Sequence, residues 1–182
     1  RMYCNYAFYF GATVDNAHEL ADLKNLEGCC GIKLFAGSST GNLLVADEKD
    51  IETVFKNSSK VVAVHSEDEA ILSVNKKLIK KGDVHSHPIW RSEECAISST
   101  RRIVRIAERY NKKAHVLHIT TKQEIDFLSQ HKGNITFEIT PQHLTIYAPD
   151  CYDKLGTYAQ MNPPIRDKSH YDRLWYAVKN NF

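Results

Sequence analysis

The sequence lacks the features that mark several classes of protein. It has no apolar run of the roughly 18–20 residues that cross a bilayer, so we expect no membrane-spanning helix. Its 24 Lys and Arg residues are scattered among 22 Asp and Glu residues. A chain that binds nucleic acid through its phosphates usually concentrates its basic residues on one face, so nucleic acid is not an expected partner.

Cysteine is present in an odd number, and no CxxC pair occurs. The five residues are Cys4, Cys29, Cys30, Cys95 and Cys151, of which two are adjacent in sequence. This pattern argues against a disulfide framework and against a thiolate zinc knot. Reduced thiols in the cytoplasm are the simpler interpretation, and Cys29, Cys30 and Cys95 are predicted to be small buried apolar residues.

What the sequence does contain is a regular alternation of strand and helix patterns over 182 residues of ordinary globular composition. Strands are predicted at 6–13, 31–37, 61–66, 114–119 and 134–140, and the aromatic residues of the first are predicted to lie in the core. Helices are predicted to begin after Asn16, Asp50, Ser92 and Thr121, with another after the third strand and a last one over 168–179. Such alternation predicts an α/β fold with parallel strands and outer helices, either doubly wound or a (β/α)8 barrel. Periodicity alone does not choose between these two.

Three ionisable residues fall near the carboxyl ends of predicted strands: Lys33, His65 and His118. In parallel α/β folds this rim carries the active site. A lone histidine in a strand is more often structural, but two histidines at equivalent strand ends are also the pattern of a metal site, since neutral imidazole is the commonest metal ligand.

Lys33 is unusual because it lies between Ile32 and Leu34 in an apolar strand. A buried lysine is costly unless its charge is paired or removed. Its side chain either reaches the surface or an ion pair, or has a depressed pKa. In the second case the free amine can add carbon dioxide, which makes an anionic carbamate able to bridge two metal ions.

Five segments carry a resemblance to a known family. GIKLFAGSSTGNLLV, VVAVHSEDE, HVLHITT, EITPQHL and MNPPIR occur in this order, at comparable spacing, in dihydroorotases. Dihydroorotases belong to the cyclic-amidohydrolase superfamily of metal-dependent (β/α)8 barrels. The resemblance extends over essentially the whole chain and favours the barrel.

The resemblance implies a role for individual residues. Lys33 matches the carbamylated lysine that bridges two zinc ions, and His65 and His118 match histidine ligands. Asn162 matches a polar residue that holds the substrate ring. The loop 38–42 (SSTGN) resembles the segment at the pocket mouth.

Two motifs that the family would supply are absent. No HxH precedes Lys33, and neither Asp167 nor Asp172 fits the role of the last-strand aspartate, which is metal ligand and general base. Because a (β/α)8 barrel needs about 250 residues, we expect the chain to be an internal segment of one barrel domain, with this aspartate beyond residue 182.

Histidines outside the three strand ends have weaker claims to a metal. His85-Ser86-His87 has the HxH form, but it follows Lys33 instead of preceding it. The segment HPIWRSEE resembles a family segment in which Arg91 and Glu94 organise a loop. A place near the pocket stays open for His87, whereas a structural role is favoured for His143.

The leading prediction is a zinc-dependent dihydroorotase that interconverts dihydroorotate and N-carbamoyl-aspartate in pyrimidine biosynthesis, with a possible homodimer. The segment alone is predicted to be inactive. Alternatives are a hydantoinase or allantoinase, which share the lysine and both histidines, and a metal-free scaffold protein of the same fold.

Overall fold

The computed structural model describes residues 2–39 and 41–182, which form a parallel sheet with helices packed against it. The strands are β1 (Phe8–Gly11), β2 (Cys29–Phe35), β3 (Val62–His65), β4 (Ala114–Val116) and β5 (Ile135–Phe137). The α-helices are α1 (Glu48–Asn57), α2 (Glu69–Asn75), α3 (His87–Trp90), α4 (Glu93–Arg109), α5 (Lys122–Leu128), α6 (Asp150–Leu155) and α7 (Lys168–Lys179). Short 3-10 helices lie at Asp22–Asn25, Lys76–Leu78, Val84–Ser86, Pro141–Leu144 and Gly156–Ala159.

The order of the strands in the sheet decides between the two predicted architectures. The order is β1-β2-β3-β4-β5, and every neighbouring pair is parallel. In a doubly wound sheet the strand order reverses at a switch point, whereas in a (β/α)8 barrel each strand lies beside the next one in sequence. The predicted α/β fold with parallel strands is therefore confirmed, and the order is that of consecutive barrel units.

The two faces of the sheet differ sharply in chemistry. One face carries fully buried aliphatic residues in the central strands, such as Ile32, Leu34, Val62 and Val64. They pack against the apolar sides of α1, α4, α5 and α7 in one core. The opposite face carries Lys33, His65, His115 and Thr136, because successive side chains along a strand alternate between faces.

Five of the α-helices begin at a side-chain cap, but α1 begins after Asp47 and not after the predicted Asp50, which lies inside its first turn. The side chains of Asp47, Asp68, Ser92, Thr121 and Asp167 each accept a hydrogen bond from a backbone N–H in the first turn of the following helix. These bonds satisfy donors that have no partner inside the helix. The prediction that helices begin after Ser92 and Thr121 is confirmed, and so are the predicted bounds of the last helix.

The helix predicted after Asn16 is wrong. Residues 14–21 form turns, and only a short 3-10 helix, Asp22–Asn25, follows. The Asn16 side chain points backwards: its Oδ1 accepts from Thr13 N at 2.9 Å and its Nδ2 donates to Gly11 O at 3.0 Å. It therefore closes a turn with the end of β1 and does not cap a helix.

Of the aromatic residues of β1, Phe10 is half-buried and packs against the core, whereas Phe8 and Tyr9 are not core residues, contrary to expectation. Phe8 is 67% exposed and Tyr9 48% exposed, and β1 is the outermost strand of this sheet. Among the cysteines, Cys95 is buried as predicted, but Cys29 is half-buried and Cys30 is exposed. All five are free thiols.

Within the described residues, none of the helices has the length and apolar character that crossing a bilayer requires.

Candidate metal site at the strand ends

The two histidines that end neighbouring strands meet. His65 is the last residue of β3, and His118 lies two residues beyond β4. His65 Nδ1 and His118 Nε2 are 3.1 Å apart, and the two rings are arranged edge to face. Two nitrogen atoms are thus aimed at the same point from two strands.

His118 is held in a strained and desolvated position. Its φ of 42° lies in the left-handed region, which side chains other than glycine adopt at a cost of the order of 1–3 kcal/mol. Burial, together with the neighbouring His65 and Lys33, lowers the pKa of His118 to about 3, so the ring is neutral at pH 7. Its Nδ1 atom is buried and has no hydrogen-bond partner. Strain of this kind persists where the surrounding structure imposes it, and it is common at functional sites.

Lys33 lies on the same face of the sheet as His65, one strand away. It is paired across the strands with Ala63, two residues before His65. Its Nζ atom donates to Leu34 O at 3.1 Å and lies 3.8 Å from the centre of the Phe35 ring. Burial lowers the pKa of Lys33 to about 7, against the opposing effect of the Glu138 carboxylate. A substantial part of the amine is therefore uncharged near neutral pH.

A buried ion pair behind His65 was not identified from the sequence. Glu67 is fully buried, and its Oε2 lies 2.7 Å from His65 Nε2. Arg91 donates to both carboxylate oxygens of Glu67, through Nε at 3.1 Å and through Nη2. Burial alone would raise the pKa of Glu67, but the hydrogen bond from His65 and the charge of Arg91 lower it. A glutamate directly after a buried strand is the signal that could have found it.

Arg91 is placed as expected in a loop-organising role, but Glu94 is not. Arg91 is buried and also donates to Ser38 Oγ at 2.7 Å, so it ties the segment after β2 to the segment after β3. Glu94 is exposed. The neighbouring Glu93 accepts from Gln123 Nε2 at 2.6 Å instead.

The side chain of Asn162 is exposed, whereas the residues on either side of it in the loop are held by two histidines. His87 Nε2 lies 3.0 Å from Met161 O, and His143 Nε2 lies 3.2 Å from Pro163 O. The other ring nitrogen of His143 contacts Thr140 Oγ1 at 2.6 Å. Both nitrogens of His143 are thus occupied, in agreement with the structural role that was favoured.

The two histidines of the HxH form do not form a metal site, and the loop 38–42 is held by a contact to α2. His85 and His87 diverge, since His85 Nε2 pairs with Asp153 at 3.1 Å while His87 turns to Met161. Of the loop 38–42, Thr40 lies outside the described residues, and Ser38 N donates to Glu69 Oε2 at 2.9 Å.

The residues at the strand ends fit a zinc site. Two imidazoles with facing nitrogens, of which His118 is neutral, and an amine that can become a carbamate form the nitrogen and oxygen donor set that Zn²⁺ prefers. Within residues 2–39 and 41–182, Glu93, Asp167 and His170 also bring ligand atoms within 4.8 Å of one another. There, however, His170 Nδ1 accepts from Lys122 N at 3.0 Å and Nε2 lies 2.9 Å from Glu93 Oε1, so protein contacts already satisfy the ring.

The candidate metal site lies on the polar face of the sheet, at the carboxyl ends of the strands. A cavity of about 770 Å³ lies at the opposite, amino-terminal end of the strands and is lined by Lys24, Lys56, Lys60, Lys112 and Lys113, among others. Lys33, His65 and His118 therefore lie at the end of the barrel strands where active sites are found, and away from this cavity.

Comparison with known proteins supports the fold and the resemblance. No protein-family model matches the chain. A dihydroorotase of Methanosarcina mazei is 28% identical over 169 residues, which cover 86% of this chain and 37% of that protein. An allantoinase of Escherichia coli O139:H28 is 25% identical over 181 residues, which cover 92% and 39%. The L-hydantoinase (dihydropyrimidinase) from Arthrobacter aurescens superposes with a TM-score of 0.89 at 23% identity, covering 99% of this chain and 42% of that structure.

These matches fix the architecture as a partial (β/α)8 barrel, and the predicted resemblance to dihydroorotases is confirmed. The relatives are cyclic amidohydrolases. The chain spans about two fifths of the length of each of the three.

Proposed function

We propose that this chain carries the lysine and two of the histidines of a zinc-dependent cyclic amide hydrolase, and that its substrate is dihydroorotate. The reaction is the reversible hydrolysis of a ring amide to N-carbamoyl-aspartate. The observation that carries the proposal is the meeting of His65 and His118 at 3.1 Å, on the face of the sheet that also bears Lys33.

The choice of dihydroorotate rests on finer features than the choice of reaction. The segments GSSTGN and NPPIR match dihydroorotases, and six curated relatives with that name align with this chain. A hydantoinase or allantoinase is the alternative, supported by the superposition on L-hydantoinase and by the allantoinase match. A metal-free scaffold is disfavoured, because such a protein would have no reason to keep a half-buried lysine and a strained, desolvated histidine together.

In this reaction the chain's own residues hold the reacting groups in place. The uncharged Lys33 amine would add carbon dioxide, forming an N–C bond and releasing one proton to solvent. The carbamate, His65 and His118 would then hold zinc. Zinc, when bound, would acidify a water molecule and polarise the ring carbonyl of the substrate. Asn162, exposed between two carbonyls that His87 and His143 contact, would orient the substrate ring.

No HxH motif precedes Lys33, and neither Asp167 nor Asp172 fits the role of the proton-transferring aspartate that the resemblance implies. We therefore propose that the isolated 182-residue chain is inactive and that the complete protein supplies these groups. A cytoplasmic location and a homodimer are further proposals, the first resting on the free thiols.

The test is a substrate comparison on the complete protein, with zinc content measured in parallel. We expect faster turnover of dihydroorotate than of hydantoin or allantoin, and the reverse preference would favour the alternative. Lys33→Ala should lose both zinc and activity, because a carbamate that would hold zinc cannot form. Lys24→Ala, an exposed lysine at the far end of the strands, is the control and should keep both. Full zinc and full rate in Lys33→Ala would show that Lys33 is not a zinc ligand.

A further inference from the structure

The buried pair of Glu67 and Arg91 stands directly behind His65 and has no role in the proposed reaction. Glu67 is fully buried, and Arg91 is only 2% exposed. The carboxylate receives two hydrogen bonds from the Arg91 guanidinium, in the two-pronged geometry in which such pairs are strongest. Taking both charges out of water is costly, and replacing such a pair by apolar residues is often neutral or stabilising. Stability alone therefore does not explain this pair.

Among the described residues, the Glu67 carboxylate also contacts His65. A carboxylate that is paired with a guanidinium can only accept hydrogen bonds, so His65 Nε2, at 2.7 Å, must carry the proton. In a neutral ring the lone pair is then on Nδ1. That atom faces His118 Nε2, at 3.1 Å.

The carboxylate itself is locked in position from several sides. Arg91 Nη1 donates to Ser38 Oγ at 2.7 Å, and Arg91 O accepts from Arg166 Nη1 at 2.5 Å. Gly37 packs so closely on this segment that a Cβ there would lie 2.3 Å from Glu67 O. The direction in which Glu67 presents its oxygen to His65 is therefore set by three separate segments of the chain.

We propose that Glu67, oriented by Arg91, is a positioning residue that holds His65 in the Nε2–H tautomer and so aims its Nδ1 lone pair into the space shared with His118 and Lys33. This inference rests on the proposed function, in which that space holds zinc. Glu67 touches neither substrate nor metal in this arrangement and acts through His65. In protein metal sites such an outer partner typically changes metal affinity by about 10–100-fold.

The first test needs no variant. Nitrogen-15 NMR of the histidine rings in the complete, metal-free protein reports which nitrogen of His65 is protonated. We expect the Nε2–H form, and finding the Nδ1–H form would overturn the proposal. This measurement decides the role of Glu67 even if the protein binds no zinc, an outcome that would refute only the proposed function.

The second test compares Glu67→Gln with Glu69→Gln in the same protein. In Glu67→Gln, Arg91 competes for the one amide oxygen and the amide N–H2 faces His65, so the ring should shift toward Nδ1–H. Zinc affinity should fall by about 10–100-fold. Glu69 contacts Ser38 N in the same region but not His65, so its variant should match the wild type in tautomer and affinity. Zinc binding that is equally tight in wild type and Glu67→Gln would overturn the positioning role while leaving the zinc site standing.

Discussion

Replacing Gly37 by alanine tests how tightly the strand ends are packed around the candidate site. An added Cβ would lie 2.3 Å from the carbonyl oxygen of Glu67 and 3.0 Å from its carbonyl carbon. Both are backbone atoms, so the clash cannot be relieved by rotating a side chain. Forcing an extra methyl into a packed site typically costs about 1–3 kcal/mol, and we expect a value at the upper end because backbone must move.

Gly11→Ala is the matched control, since Gly11 also lies at the carboxyl end of a strand. There the new Cβ would lie 3.2 Å from Leu43 Cδ2, the end of a half-buried and flexible side chain. Alanine also restricts the unfolded chain, which favours folding by about 0.4–1 kcal/mol in both variants. The free energy of unfolding, measured by urea denaturation, should therefore fall by about 2 kcal/mol more in Gly37→Ala than in Gly11→Ala. Equal stability of the two variants would refute the close approach of the two strand ends.

Three further expectations follow from burial and hydrogen bonding. A thiol reagent at pH 8 should modify the exposed Cys30 quickly. It should modify Cys95 only after unfolding, because burial raises the pKa of that thiol to about 12. Rapid labelling of both cysteines in the folded protein would contradict this. Thr121→Ala should lower the free energy of unfolding by about 1 kcal/mol, because Thr121 accepts from Glu124 N and is part of a capping box. Acid should lower the free energy of unfolding of the wild type more than that of Glu67→Gln. The pKa of Glu67 is lower in the folded protein than in the unfolded chain. The carboxylate therefore stabilises the fold above its ordinary pKa of about 4.3, and this contribution is lost as the pH falls through the folded-state pKa. Identical pH dependence of unfolding in the two proteins would show that Glu67 contributes nothing of this kind.

The alternation of strands and helices was predictable because each element carries its own local signal. The aliphatic strand around Val62 and the serine cap at Ser92 mark their elements without help from the rest of the chain. Asn16 misled because its side chain has two possible partners, the helix ahead and the turn behind, and only the position of Thr13 decides between them.

The candidate site was predictable only in part, for a physical reason. Lys33, His65 and His118 stand out in the sequence because burying a polar side chain in an apolar strand costs free energy, which indicates a role other than packing. Glu67 and Arg91 are 24 residues apart in sequence, and their pairing depends on how the segment after β3 meets the loop before α4. Nothing local in either segment indicates that contact.

Zinc binding by the complete protein, measured by metal analysis and by calorimetric titration of the metal-free form, tests the central claim most directly. His118→Ala should lose a zinc ion, because it removes one of the two nitrogens that face each other at 3.1 Å. His115→Ala should retain the wild-type zinc content, since His115 lies three residues earlier and its ring contacts Thr136 Oγ1 at 2.8 Å and Glu138 Oε2 at 3.2 Å. The same zinc content in wild type, His118→Ala and His115→Ala would contradict the placement of the metal site at these strand ends.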